Sequence, residues 1–186
     1  MGRKRNSLRI IGGVWRSRRI QFADSPQIRP TPDRVRETLF NWLADRITGA
    51  RCLDLFAGSG ALGFEAASRG AGHVVQVDSD ASVVAMLAKQ KQALEAQQVD
   101  IVQQDALEYL HRVTQSFDIV FLDPPFGEAL QQQVLSVLLV RRLVSASGLV
   151  YVECPAQAAT PCPDPLLRIR EKTAGQVRHE LYALQP

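Results

Sequence analysis

An α/β fold with a mostly parallel seven-stranded sheet, ending in an antiparallel hairpin, is what this sequence predicts. Three observations carry that expectation. From residue 51 onward, short apolar runs alternate with amphipathic segments, the pattern of repeated β–α units. A glycine-rich turn, Asp54-Leu-Phe-Ala-Gly-Ser-Gly60, stands between the first run and the first of those helices. Near the end, two strand-like runs at 166–172 and 176–183 are separated only by Thr173-Ala-Gly175, too short for anything but an antiparallel turn.

Taken in order, residues 8–22 read as a hairpin, with Gly12-Gly13 supplying the turn between short apolar runs. Arg29-Pro-Thr-Pro-Asp33 is an extended lead into a helix, with Thr31 as its cap and Pro32 in the first turn, where no amide hydrogen is needed. Val35, Leu39, Leu43 and Ile47 then recur every four residues, and Gly49 ends the helix. Strands follow at 51–55, 73–77, 100–104, 117–122 and 148–153. Helices follow at 61–68, 81–97, 106–113 and 130–144. Residues 155–165 form a proline-rich loop. The organisation expected is a basic N-terminal β-hairpin arm over residues 1–30 and one main domain over 31–186, the arm and the helix after it making a small hairpin/helix extension.

A chain of 186 residues with 46% hydrophobic content can bury one good core. No apolar run is long enough to span a membrane, and no apolar stretch follows the charged start Met1-Gly-Arg-Lys-Arg, so a cytoplasmic protein is expected. Cys52, Cys154 and Cys162 lack metal-ligand spacing and fit reduced, packed thiols, so no metal is expected. Net charge is only +3, but it is uneven. Arg3, Lys4, Arg5, Arg9, Arg16, Arg18, Arg19, Arg29, Arg34 and Arg36 face only Asp24 and Asp33 over the first thirty-six residues. Interleaved with Ile10, Ile11, Val14, Trp15, Ile20 and Phe22, they suit a folded ribbon that presents arginines to a polyanion. The nucleic-acid contacts expected are Arg9, Arg16, Arg18, Arg19, Arg29, Arg34 and Arg36.

The chemistry concentrates in two turns. In the first, glycines allow a sharp bend and a close approach to a ligand, and the helix that follows offers unpaired amides. Gly58, Gly60 and Gly63 also match the dinucleotide pattern, but Asp54 argues against a pyrophosphate, which it would repel. A carboxylate there suits the ammonium of S-adenosylmethionine. Asp54, Phe56, Ala57, Gly58, Ser59 and Gly60 are therefore the expected cofactor loop. Gln76, Val77 and Asp78, at the end of the next strand, are placed for the ribose. Asp105 and Ala106 are placed for the adenine, although Asp105 is equally suited to capping a helix.

The second turn is Asp123-Pro124-Pro125-Phe126. Two prolines fix φ and remove two amide donors, so the neighbouring carbonyls stay put. Asp123 and the Pro124 carbonyl can accept both hydrogens of a planar amine, and Phe126 can stack on its base, worth about 1–3 kcal/mol. Since the sulfonium already carries a good leaving group, catalysis here is mainly alignment, which can supply roughly 7–11 kcal/mol. His73, His111 and His179 are expected to be packed or solvated and remote from both turns.

Those two turns, with Arg9-Ile-Ile-Gly-Gly-Val-Trp-Arg16 and Arg29-Pro-Thr-Pro-Asp-Arg-Val-Arg-Glu-Thr-Leu-Phe40, resemble the RsmD-type 16S ribosomal RNA guanine-N2 methyltransferases over nearly the whole chain. The resemblance implies a Rossmann-like class I methyltransferase fold and S-adenosylmethionine as cofactor. Its implied target is one guanine of 16S rRNA, within an assembled or assembling 30S subunit; separately, a monomer is expected. Where that family carries an acid, this chain has Gln76, which replaces a charge-assisted bond to the ribose by a weaker one. The rivals are a DNA adenine-N6 or cytosine-N4 methyltransferase, a protein-glutamine methyltransferase, a nicotinamide-dependent dehydrogenase, and a ribosome-binding protein without catalysis. A DNA enzyme would need further protein to read its sequence.

Overall fold

A computed structural model describes residues 6–22, 30–124, 127–158 and 163–185. Arg3 to Arg5, Arg29, Pro125, Phe126 and Cys162 lie outside the described residues. The chain runs β1 (Ser7–Arg9), β2 (Arg19–Gln21), α1 (Asp33–Trp42), β3 (Arg51–Asp54), α2 (Ala61–Ser68), β4 (His73–Asp78), α3 (Ala81–Leu94), β5 (Val99–Gln103), α4 (Ala106–Arg112), β6 (Phe117–Leu122), α5 (Gly127–Val140), β7 (Val144–Pro155), β8 (Leu166–Ala174) and β9 (Val177–Leu184). The large sheet has the order β5-β4-β3-β6-β7-β9-β8. Strands β3 to β7 are parallel, while β9 pairs antiparallel with both β7 and β8. The expected seven-stranded sheet with its closing hairpin is thus observed.

Alternation along the strands splits the core between the two faces of the sheet. Cys52, Val74, Ile119, Phe121 and Tyr151 pack with Leu39 and Phe40 of α1, Phe64 of α2 and Leu87 of α3. Leu53, Val75, Val120, Val150 and Val152 pack with Leu110 of α4 and with Val134, Leu135 and Leu138 of α5. Each such side chain stabilises the fold by about 1.5–3 kcal/mol when fully buried. Cys52 and Cys154 are buried thiols, and desolvation pushes the Cys52 thiol well up.

Three local expectations need correction. Helix α1 is preceded by Pro32, with no side-chain cap, and Thr31 Oγ1 instead donates to Glu153 Oε1 at 3.0 Å. Strand β7 starts at Val144, earlier than expected, because Val144 pairs with Phe117 before a register shift brings Leu149 opposite Ile119. The hairpin strands are shorter than expected, and residues 10–18 form a looped connection. Gly13, at φ +76, serves more than a turn: a Cβ there would lie 1.7 Å from the Ser68 carbonyl oxygen. The ribbon is pressed against the end of α2.

Candidate active site

The chain starts its sheet at β3, winds outward through β4 and β5, then returns to the other side of β3 for β6 and β7. Such a reversal opens a crevice at the carboxyl ends of the two central strands. The glycine turn leaves β3 there, and Asp123 follows β6 there. Asp54 is registered directly beside Phe121, two residues before Asp123.

The glycine turn is held from both sides. Gly58 and Gly60 have φ of +50 and +74, and a Cβ on Gly60 would fall 2.6 Å from Leu87 Cδ2. Ala57 N donates to the Val77 carbonyl at 3.0 Å, and Gly58 N donates to Asp78 Oδ2 at 2.9 Å. The other Asp78 oxygen accepts from Asp80 N at 2.9 Å, leaving a half-buried carboxylate at the edge of the crevice. Ser59 Oγ accepts from Ala61 N, Phe56 packs half-buried against the core face of α4 and α5, and the Val77 side chain is fully buried. Val77 therefore contributes its carbonyl to the loop and its side chain to the core. Asp105 caps α4, accepting from Leu107 N at 2.9 Å and Glu108 N at 3.1 Å, with Ala106 buried beside it.

Gln76 departs from the expected geometry. It is fully buried, and its Nε2 donates to Asp54 Oδ2 and to the Gly60 carbonyl, both at 3.3 Å. It braces the glycine turn from beneath, and the partly exposed carboxylate at the end of this strand belongs to Asp78. Gln76 Oε1 finds no hydrogen-bond partner among the described residues. Asp54 Oδ2 also accepts from Gly63 N at 3.0 Å. Burial lifts the Asp54 carboxyl to about 7, against these two hydrogen bonds and with repulsion from Asp123 and Asp78 adding to the rise.

Asp123 is open to solvent on one side and enclosed by protein on the others. Desolvation in that recess, then repulsion from Glu153, raises its carboxyl above the ordinary range. Glu153 was not singled out by sequence reasoning. Its Oε1 accepts from Thr31 Oγ1 at 3.0 Å and Tyr151 OH at 2.9 Å, and burial raises its carboxyl too. His179 Nδ1 lies 2.8 Å from Tyr151 OH, its ring stacked on the tyrosine, and burial lowers it to about 4, so it is neutral near pH 7. That histidine is packed, as expected, but against the site's wall. The available signal was a carboxylate at the end of the fifth strand, matching Asp78 and Asp123 at the ends of theirs.

This donor set has a clear chemical bias. Asp54, Asp78, Asp123 and Glu153 share one edge, and three of them are driven toward their neutral forms by burial and mutual repulsion. A cation would relieve that repulsion and a pyrophosphate would worsen it. No group of residues able to hold a metal ion occurs among the described residues. A cavity of about 450 Å³ lies at the opposite, amino edge of the sheet, lined by Leu139, Arg142, Ser145, Pro165 and Leu184, and none of these acids borders it.

The arm arginines divide. Arg16, Arg18, Arg19 and Arg34 are exposed, although Arg18 Nη2 also donates to the Ala93 carbonyl at 2.6 Å. Arg9 lies 3.6 Å from Asp33 with its side chain over half exposed. Arg36, expected among the RNA contacts, is completely buried and presents no surface to RNA in this structure. Its guanidinium donates to Glu65 Oε2 at 3.2 Å, Asp33 Oδ1 at 2.6 Å, and the carbonyls of Arg9 and Thr31. Glu65, equally buried, also accepts from Ile11 N and Gly12 N at 2.8 Å and from Arg69 Nε at 2.8 Å.

With the geometry in view, comparison with known proteins gives the following. A family model described as Conserved hypothetical protein 95 matches residues 8–183. The chain is 44% identical over 176 residues to ribosomal RNA small subunit methyltransferase D of Escherichia coli K12, covering 94% of this chain and 89% of that protein. It is 41% identical to the protein of the same name from Haemophilus influenzae, covering 96% and 94% of the two chains. A solved Escherichia coli structure, "Putative methyltransferase yhhF", superposes with a TM-score of 0.88 at 41% identity, covering 97% of this chain and 99% of that one.

Proposed function

The chain belongs to the family that includes ribosomal RNA small subunit methyltransferase D, and we propose that it transfers a methyl group from S-adenosylmethionine to the exocyclic N2 of one guanine in 16S rRNA. The observation that carries this reading is the meeting of the glycine turn and Asp123 at one reversal point, ringed by carboxylates. S-adenosylmethionine supplies, when bound, a methyl group on a cationic sulfur. Asp54 and the turn from Phe56 to Gly60 fit it: an acid for the cationic amino-acid end, and a bent backbone that lets the ligand approach closely. Between the two ribose candidates, the partly exposed Asp78 is favoured over the buried Gln76.

Asp123 and the Pro124 carbonyl hold the two hydrogens of the target amine, which keeps the nitrogen's electron density directed at the incoming methyl group. Transfer of the methyl group to that nitrogen would break the carbon–sulfur bond and leave S-adenosylhomocysteine, and the nitrogen, made acidic by the new bond, would pass one proton to the neighbouring Asp123 carboxylate. The acids also disfavour the dehydrogenase reading, since nicotinamide cofactors bring a pyrophosphate. The exposed arm arginines then suit phosphate contacts along the RNA.

Replacing Asp123 by alanine tests the assignment. Methyl transfer to unmodified small subunits should fall by about 10²–10³-fold, the scale of losing one well-placed electrostatic contact. Binding of S-adenosylhomocysteine, read by melting shift, should persist. Equal loss of both would make Asp123 a structural residue. Mass spectrometry of nucleosides from the product reports whether N2-methylguanosine is formed.

A further inference from the structure

Glu153 stands beside the clamp and is unaccounted for. Leu122 pairs with Val152 in the parallel β6–β7 register, so Asp123 and Glu153 are the next positions along two adjacent strands. Adjacent strands are about 4.8 Å apart, and equivalent positions project to the same side. That side is the one facing Tyr151, whose hydroxyl bonds Glu153. Two carboxylates thus stand next to each other at the crevice, an arrangement that costs stability because like charges repel.

The Glu153 carboxylate is aimed by a neighbour on its own strand and by groups from two other segments. Thr31 from the lead into α1 and Tyr151 from β7 both donate to Oε1, and His179 of β9 holds the tyrosine. Oε2 lies 3.7 Å from His179 Nδ1, beyond hydrogen-bonding distance, and makes no hydrogen bond among the described residues. A carboxylate offers about four lone-pair positions, so acceptor capacity remains after Thr31 and Tyr151 are served. The side chain is 9% exposed.

Resting on the guanine-N2 reading, we propose that Glu153 accepts the N1–H of the target guanine while Asp123 accepts N2–H, so that the adjacent carboxylates select guanine among the amino bases. The Watson–Crick edge of guanine places two donors side by side, N1–H and the N2 amine. Adenine and cytosine present their amine beside a bare ring nitrogen, which is an acceptor. In the ionised form, which the Thr31 and Tyr151 hydroxyls and the two guanine donors favour, a carboxylate facing that nitrogen would leave two acceptors in contact with no hydrogen between them. Rejection by unpaired polar groups is stronger than rejection by shape. A lone Asp-Pro-Pro clamp serves any exocyclic amine, whereas two neighbouring acceptors serve guanine.

The test uses unmodified small subunits reconstituted with guanine or 2-aminopurine at the methylated position. 2-Aminopurine keeps the C2 amine but lacks N1–H. The wild-type enzyme should methylate it at least about tenfold more slowly than guanine, the usual discrimination of one specific base contact. Glu153→Gln, checked for folding by its melting shift with S-adenosylhomocysteine, should lose activity on guanine and narrow that gap to within about threefold. Proportionate loss on both bases would assign Glu153 to scaffolding. Equal wild-type rates on the two bases would overturn the proposal whether or not the variant folds. Absence of transfer to guanine-bearing subunits, with S-adenosylhomocysteine still bound, would instead defeat the guanine-N2 reading itself.

Discussion

At the scale of single residues, Asp54 shows how the site's electrostatics become measurable. Its carboxyl is raised from 3.8 to about 7, first by burial and then by Asp123 and Asp78. A carboxyl whose folded value exceeds its unfolded one is favoured neutral in the native state. The free protein should therefore be most stable, as far as this residue decides, below about 3.8, and lose that contribution as pH rises toward about 7. A bound cation reverses the preference, so affinity for S-adenosylmethionine should rise with pH and level off above about 7, with proton release on binding. Calorimetry at pH 6 in two buffers of different ionisation heat reads that proton directly. Binding without proton release would mean that no cation reaches this carboxylate. Sequence spacing identified Asp54 as an acid beside a glycine turn, but its protonation depends first on its burial and then on Asp123 arriving from another strand, neither of which spacing reports. Gln76 was visible as a departure from the family pattern, whereas its role as a brace for the turn depends on a fully buried rotamer.

At the scale of elements, the parallel strands were legible because each is an apolar run bounded by turn residues, and the sheet order follows once such units repeat. The docking of the N-terminal ribbon was not. It depends on Glu65, an acid inside the otherwise apolar helix Ala-Leu-Gly-Phe-Glu-Ala-Ala-Ser, where periodicity treats a charge as noise. In the structure that acid collects two backbone amides from the ribbon and two guanidinium groups, Arg36 and Arg69, with Arg69 lying 5.1 Å over the Phe40 ring. Removing one partner of a buried pair leaves the other charge uncompensated, which typically costs about 3–5 kcal/mol. Glu65→Ala should therefore lower the melting temperature by about 10 °C, at roughly 2–4 °C per kcal/mol for a chain of this size. It should also expose the ribbon to limited proteolysis. A drop within about 2 °C would show that the ribbon is held by its apolar residues, Ile10, Trp15 and Ile20, and not by this ion pair.

At the scale of the whole molecule, charge is separated by function: acids line the crevice, and arginines crowd the N-terminal ribbon, whose loop docks on the far ends of α2 and α3. Sequence composition made the basic stretch evident but could not divide it, because surface and interior arginines look alike until the ribbon is docked. The division has a measurable consequence. Arg16, Arg18 and Arg34 are exposed and able to meet phosphates, Arg18 with one guanidinium nitrogen on the Ala93 carbonyl, while Arg36 is wholly engaged inside. For single-stranded RNA each neutralised phosphate contributes about 0.7 to the slope of log affinity against log salt. The triple variant Arg16→Ala, Arg18→Ala, Arg34→Ala should reduce that slope by about 2 and weaken RNA binding, with the melting temperature nearly unchanged. Arg36→Ala should do the reverse, lowering stability while a properly folded fraction keeps the original slope. Filter binding of the RNA at several salt concentrations, paired with melting curves of both variants, separates the two. An unchanged slope in the triple variant would remove the ribbon from the RNA interface and leave the basic stretch without its proposed partner. A reduced slope in Arg36→Ala would mean that this side chain leaves its buried partners when RNA binds.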